Sequence, residues 1–341
     1  MRSILILAAI TSLISISCAP EQEKSQEAKD SMTIAFGSCS KQNLTDKQLW
    51  TEVINENPDL WIWLGDNIYG DTENMILMKE KYDLQKSHPD YQRLMNATEI
   101  IGIWDDHDFG ANDAGKEYPK KDEAKELLFD FLDVAEDNPS RNRQGTYQSY
   151  DYAIEGKKVK VILLDGRYFR DSLKWERNPK KALINENGDL LGEEQWTWFE
   201  SQLDDTTTDL FLVGCGIQFL TTDHNCEKWS NFPKDRERLL SLIQEKVEKP
   251  LILLSGDRHI SEVSKIDLPE YDFPLYDITS SSLTSPWSER NDSENTIREG
   301  KITYDENFAV LEIAWINDAL ETNFKFVGKD NKTLQEFEIR F

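Results

Sequence analysis

The chain has 341 residues, 38% of them hydrophobic and 11% aromatic, enough to bury a sizeable core and to exclude disorder as its overall state. Its 64 acidic side chains against 39 basic ones give a formal net charge of −25. That balance excludes a general nucleic-acid-binding surface, which needs clustered Lys and Arg, and equally an electrostatic dock on an anionic membrane.

Residues 1–18 form the one strongly apolar run: Arg2 supplies a short positive start, Ile4 to Ile16 the apolar stretch, and Ser17-Cys18 a small-residue cleavage point. The run is too short to span a membrane and matches a secretory signal peptide. Cys18 directly after it fits a bacterial lipoprotein site, although Ser15 stands where such sites usually carry Leu. Lipidation at Cys18 and an exported protein, anchored in the periplasm or on the cell surface, are therefore expected. Residues 19–31 are polar, charged and free of aromatics, as in a tether. Residues 32–341 are expected to form the folded domain.

From Met32 onward, short apolar runs alternate with helical patterns. Residues 33–36, 60–64, 100–104, 159–164, 210–213 and 251–254 predict buried strands, being branched or aromatic and bounded by Gly, Asp or Pro. Between them, 46–57, 120–132, 193–203 and 233–247 carry apolar residues at helical spacing, as Trp196, Phe199 and Leu203 show. From Ile260 the chain is nearly helix-free, with strands expected at 308–315, 322–327 and 334–341. This alternation predicts an α/β fold.

Four of the apolar runs end in polar clusters: Gly37-Ser38-Cys39, Gly65-Asp66-Asn67-Ile68-Tyr69, Trp104-Asp105-Asp106-His107-Asp108 and Gly256-Asp257-Arg258-His259. Ligands of α/β sheets bind at the carboxyl ends of strands, so these clusters can converge although far apart in sequence. Gathering Cys39, Asp66, Tyr69, Asp106 and His259 without cations would bury several anions at prohibitive cost. Two or more metal ions resolve the conflict, and Asp66, with two carboxylate oxygens, is the natural bridge. Thiolate, phenolate, carboxylate and imidazole suit ferric iron or another transition ion, whereas carboxylate and amide oxygens suit calcium, magnesium or manganese. Two ions ~3.5–4 Å apart form the usual clamp for phosphoryl transfer and activate water for in-line attack.

In this order the clusters resemble the signature of the alkaline phosphatase D (PhoD-like) family of metallophosphoesterases, in which Gly-Ser-Cys replaces the commoner Asp-x-His. Weaker matches fill the gaps, among them Leu164-Asp165-Gly166-Arg167-Tyr168-Phe169-Arg170 and Gly192-Glu193-Glu194-Gln195-Trp196. The resemblance implies a four-layer α/β/β/α sandwich with two mixed sheets and a phosphoesterase acting on diesters, monoesters or both. It implies Fe3+ held by Cys39, Asp66, Tyr69 and His259, and Ca2+ held by Asp66, Asp106 and Asp257. Asp105 and Asn112 are further candidates, as ligands or as residues that hold ligands in place. His107 takes the place of the proton donor, and Arg167, with Arg170, that of the phosphate clamp.

Other features have plainer readings. Cys215 and Cys226 are a candidate disulfide pair in an oxidising compartment, with ligation the alternative. Trp104, Tyr168 and Trp287 are core residues or pocket wall, His224 a surface residue, His88 a loop residue and Arg258 a structural or rim residue. A competing function is a cell-surface binding protein that keeps a structural metal site without turnover.

Overall fold

The chain's hydrophobic runs pair into two large sheets in the computed structural model, which describes residues 30–288 and 294–341. The signal peptide and Cys18 lie outside the described residues, as does the tether up to residue 29. The first half runs β1 (Ser31–Gly37), α1 (Trp50–Asn55), β2 (Leu60–Leu64), α2 (Met75–Lys86), α3 (Pro89–Ala97), β3 (Glu99–Ile103), α4 (Asp106–Phe109) and α5 (Lys121–Phe131). Next come β4 (Gln148–Ile154), β5 (Lys157–Leu164), β6 (Trp175–Arg177), β7 (Lys180–Ala182), α6 (Gly192–Leu203), β8 (Leu210–Cys215) and α7 (Pro233–Lys246). The last third is β9 (Leu251–Ser255), β10 (Ser261–Ile266), β11 (Leu275–Ser280), β12 (Arg298–Thr303), β13 (Asn307–Ile316), β14 (Ala319–Gly328) and β15 (Thr333–Arg340).

One sheet has the order β15-β14-β13-β1-β2-β3 and the other β12-β10-β11-β9-β8-β5-β4, while β6 and β7 form a separate hairpin. Strands β1, β2 and β3 run parallel to one another, as do β5, β8, β9 and β11, so each sheet gathers several carboxyl ends at one edge.

Side-chain alternation assigns the layers. On β8, Leu210 and Leu212 join the core between the sheets, and Phe211 and Val213 pack with Trp196 and Phe199 of α6 and Leu239 and Ile243 of α7. On β2, Trp61 and Trp63 meet Trp50 of α1 edge-on at centroid distances of 5.3 and 5.2 Å. Trp63 donates from its indole N–H to the Tyr91 hydroxyl of α3 at 2.9 Å. The result is a four-layer α/β/β/α sandwich with two mixed sheets.

Helices α2 and α3 had no counterpart in the sequence reading. Asn74 caps α2 by accepting from the N–H groups of Ile76 and Leu77, and His88, expected in a loop, caps α3 ahead of Pro89. Along α2 only Met78, Tyr82 and Gln85 are buried. Ile76, Leu77 and Leu84 face solvent and blur the periodicity.

Candidate metal centre

The polar clusters meet where the carboxyl ends of the two sheets approach each other. Ser40 N–H donates to the Asp66 carbonyl at 3.0 Å, tying the loop after β1 to that after β2. Across the gap, Leu283 N–H donates to the Ser38 carbonyl at 3.2 Å and Thr284 N–H to the Cys39 carbonyl at 3.3 Å. Two glycines make room for Asp105. A Cβ on Gly65, whose φ is +87°, would lie 2.3 Å from the Asp105 Cβ, and one on Gly216 would lie 2.2 Å from Asp105 Oδ1.

Cys39, Asp66, Asp257 and His259 all adopt left-handed backbone conformations, with φ of 59°, 51°, 65° and 53°. Non-glycine residues are held there at a cost of order 1–3 kcal/mol each, and such strain collects at functional sites. Asp108 helps impose it. Its buried carboxylate accepts from the N–H groups of Asp66 at 3.1 Å, Asn67 at 3.2 Å and Asp105 at 2.7 Å, clamping the loops after β2 and β3 together.

Three overlapping groups of ligand atoms result, each with its atoms within 4.8 Å of one another: Cys39, Asp66 and His259; Asp66, Asp106 and His107; and Asp105, Asp106 and Asp257. Asp66 joins the first two and Asp106 the last two. Cys39 Sγ lies 3.3 Å from Asp66 Oδ2, and Tyr69 Oη 3.2 Å from His259 Nε2. Ser281, which no motif marked, places its hydroxyl 3.1 Å from the Cys39 sulfur and accepts from His259 N–H at 2.8 Å.

The charges of these groups are in conflict. Burial, with the neighbouring carboxylates adding to it, holds Asp66 and Asp257 far above the usual carboxylate range; burial and the Asp66 charge raise the Cys39 thiol likewise. Asp105 is pushed up to about 7 by burial, which the Arg167 charge only partly offsets. Burial raises Asp106 too, but Arg167, His107 and the Asp113 N–H outweigh it and bring that carboxyl down to about 2. Asp105 Oδ2 and Asp106 Oδ1 are buried without a hydrogen-bond partner. Unpaired carboxylate oxygens beside a thiol, a phenol and an imidazole are the donor set that metal cations fit.

A cavity of about 510 Å3 opens above the cluster, lined at its floor by Asp66, Asp106, Asp257, His107 and His259. His107 Nδ1 lies 2.8 and 2.9 Å from the two oxygens of Asp71, a partner the sequence reading missed. Burial would lower this imidazole, but Asp66, Asp71 and Asp106 together raise it to about 10. Asn112 and Asp113 line the cavity, and the β6–β7 hairpin forms a wall through Trp175, Pro179 and Lys180. Trp287 stacks on the His259 ring at 5.3 Å and 12°.

Several expectations need correction. Arg167 and Arg170 do not reach the cavity. Both are fully buried, Arg167 donating to Asp105 Oδ1 and Glu227 Oε2 at 2.7 Å each, and Arg170 pairing with Glu227 Oε1 at 3.0 Å. Their charge offsets buried carboxylates, so neither clamps phosphate. Among the described residues, the one Lys or Arg lining the cavity is Lys180. Of the aromatics read as core or pocket wall, Trp104 and Tyr168 are core, in agreement with the first of those readings: Trp104 donates to Asp165 Oδ1 at 2.8 Å and the Tyr168 hydroxyl binds Asp122. His224 is buried, not superficial, with Nε2 at 2.9 Å from Gln218 Oε1. The disulfide between Cys215 and Cys226 is not formed. Cys215 keeps a free thiol in the core behind the second sheet, whereas Cys226 lines the cavity.

A mixed-sheet α/β/β/α sandwich with a clustered set of metal-ligand side chains at its strand ends defines the metallophosphoesterase-like class. The family model for PhoD-like phosphatases matches residues 34–313, and the chain belongs to that family. It is 25% identical over 274 residues to alkaline phosphatase D of Bacillus subtilis (strain 168), a match covering 69% of this chain and 47% of that protein. The chain thus spans about half the length of this curated relative. A solved structure of PhoD superposes with a TM-score of 0.72 at 17% identity, covering 91% of this chain and 69% of the other. A structure described as GAP50, the anchor in the inner membrane complex of Plasmodium, superposes with a TM-score of 0.57 at 15% identity, covering 92% and 90%. At these identities the two structures speak for the fold.

Proposed function

We propose that the chain is an exported, metal-dependent phosphoesterase that hydrolyses phosphodiesters, monoesters or both. One observation carries this reading: three groups of metal-ligand side chains share Asp66 and Asp106 at the floor of an open cavity. Cys39, Asp66, Tyr69 and His259 would hold Fe3+, because thiolate and phenolate favour a trivalent transition ion. Asp66, Asp106 and Asp257, with the free oxygen of Asp105, would hold Ca2+, an oxygen-seeking cation. When bound, the cations acidify water and neutralise charge that develops on phosphorus.

The chain's own residues do the rest. Asp71 fixes His107 through Nδ1, so the ring keeps one orientation over Asp66 and Asp106 and can give a proton to the departing alcohol. Trp175 and Trp287 wall the cavity and exclude water from the ester's substituents. Lys180, rather than Arg167, is the cationic side chain that lines the cavity and would face a bound phosphate. The apolar stretch before Cys18 supports export and lipid anchoring there, and no helix among the described residues is long and apolar enough to cross a membrane.

The test is turnover of p-nitrophenyl phosphate and its bis-ester by purified protein, with and without Ca2+ and Fe3+. Activity that needs both cations and vanishes with a chelator supports the reading. No turnover of either ester would favour the binding protein, and activity indifferent to chelators would indicate a side-chain nucleophile.

A further inference from the structure

Glu227 belongs to none of the motifs, yet it is buried at 1% exposure against the cavity and sits at the centre of an ion-pair network. One arm runs to Asp105. Glu227 Oε2 accepts from Arg167 Nη1 at 2.7 Å, and Arg167 Nε donates to Asp105 Oδ1 at 2.7 Å. The other arm runs to Asp106. Glu227 Oε1 lies 3.0 Å from Arg170 Nε, an ion pair without hydrogen-bond geometry, Arg170 Nη2 donates to the Asp113 carbonyl at 2.6 Å, and Asp113 N–H donates to Asp106 Oδ2 at 2.6 Å. Each arm ends on one oxygen of a carboxylate whose second oxygen, Asp105 Oδ2 or Asp106 Oδ1, is buried without a partner. Those two residues and Asp257 form the third ligand group.

Burying five charged side chains is not a cheap way to stabilise a core, since well-packed apolar residues commonly do as well or better. What the network supplies is direction. Tying down one oxygen of each aspartate leaves the other in a single place, as outer partners of metal ligands do. We infer that Glu227 is a positioning residue: through Arg167 and Arg170 it sets Asp105 and Asp106 to receive the second cation. This rests on the metal-dependent reading of the same site and adds a residue to it. Arg167 and Arg170, which a phosphate clamp would need at the surface, have their place in this network.

The experiment measures cation binding by calorimetry on metal-stripped protein, with Ca2+ and then Mn2+ as probes, and iron content by elemental analysis. Glu227→Gln keeps the shape of the side chain and removes the charge that both arginines share. It should weaken Ca2+ binding about 10- to 100-fold. Iron content and the absorption of the Cys39 group, which the network does not touch, should stay as in the wild type. Arg167→Lys keeps the charge but loses the two-pronged geometry, and should weaken Ca2+ binding in the same direction. Wild-type Ca2+ affinity in folded E227Q overturns the inference while leaving the metal reading intact. If E227Q does not fold, wild-type affinity in R167K overturns it in the same way. A wild-type chain that binds no cation overturns both together.

Discussion

His107 Nδ1 lies 2.8 Å from Asp71 Oδ1 and 2.9 Å from Oδ2, so a residue outside every motif fixes the ring expected to deliver the proton. The two are 36 positions apart, Asp71 in the loop after β2 and His107 on α4. The carbonyl of His107 in turn accepts from the N–H groups of Gly70 and Asp71 at 3.0 and 3.2 Å, so backbone and side chain hold the pair together.

This pairing gives the first prediction. His107→Ala should lose about 10²–10⁴-fold in kcat, the range for a proton-transfer residue, while keeping its metal content. Asp71→Asn should lose less, because the ring remains but its orientation loosens. In the His107→Ala background, Asp71→Asn should cost nothing further. Additive losses in the double variant would show that Asp71 acts on its own.

Shared ligands give the second. In the proposed ligand sets Asp66 would touch both cations and Asp257 only the second, so Asp66→Asn should lower the content of both metals and Asp257→Asn that of the second alone. Elemental analysis of the purified variants reads this directly. If Cys39 and Tyr69 bind Fe3+, the protein is coloured by ligand-to-metal charge transfer, and Tyr69→Phe should shift or bleach that band. A colourless, fully active wild type would remove iron from its assigned place.

The sequence disclosed the convergence of the four clusters, because each lies directly after a strongly apolar strand and strand ends of parallel sheets share an edge. It was silent on the residues that hold the clusters in place. Glu227 meets Arg167 across 60 positions, and nothing local in either segment marks the partnership. The family resemblance places Arg167 on phosphate, which a guanidinium fork suits, but the same fork suits carboxylates. Burial decides between the two, and burial is a property of the fold. Ser281 likewise reaches Cys39 only because the end of β11 meets the end of β1, where Ser38 Oγ donates to the Ser280 carbonyl and Ser280 Oγ to the Phe36 carbonyl. Helix α2 is hidden for the opposite reason: its signal is local but diluted by the exposed Ile76, Leu77 and Leu84.

Asp277 offers a pH test away from the metal centre. It is buried on β11 and accepts from Ser255 Oγ at 2.7 Å, Phe219 N–H at 2.8 Å and Leu220 N–H at 3.1 Å. Burial outweighs these bonds and pushes its carboxyl up from 3.8 to about 6. Between those values the unfolded chain has released the proton and the folded chain retains it, so stability falls as pH rises through this window. The loss amounts to roughly 3 kcal/mol at most. Asp277→Asn keeps the acceptor for both N–H groups and should remove this component. The difference between wild-type and variant unfolding free energies should therefore change between pH 4 and pH 6 and level off above it. A constant difference would mean that Asp277 is ionised throughout.

Trp287 connects the metal centre to the cavity wall. Its ring stacks on His259, its backbone N–H donates to the His259 carbonyl at 2.8 Å, and the Arg258 guanidinium lies 5.4 Å from its centroid. A ring placed there has two possible uses, holding His259 or receiving a planar substituent of the ester, and kinetics separates them. If it receives the substituent, Trp287→Ala should raise KM for bis-p-nitrophenyl phosphate roughly 2- to 12-fold, the worth of one aromatic pair at ~0.5–1.5 kcal/mol. Under the same conditions KM for a dialkyl phosphate should barely move. If it holds His259, both substrates should suffer equally, and the loss should appear in kcat together with a lower iron content. Trp287→Phe keeps an aromatic face and should bring that KM back towards the wild-type value. The open cavity, with Trp175 on the opposing hairpin, favours the substituent, so the aryl-selective rise in KM is the expected result.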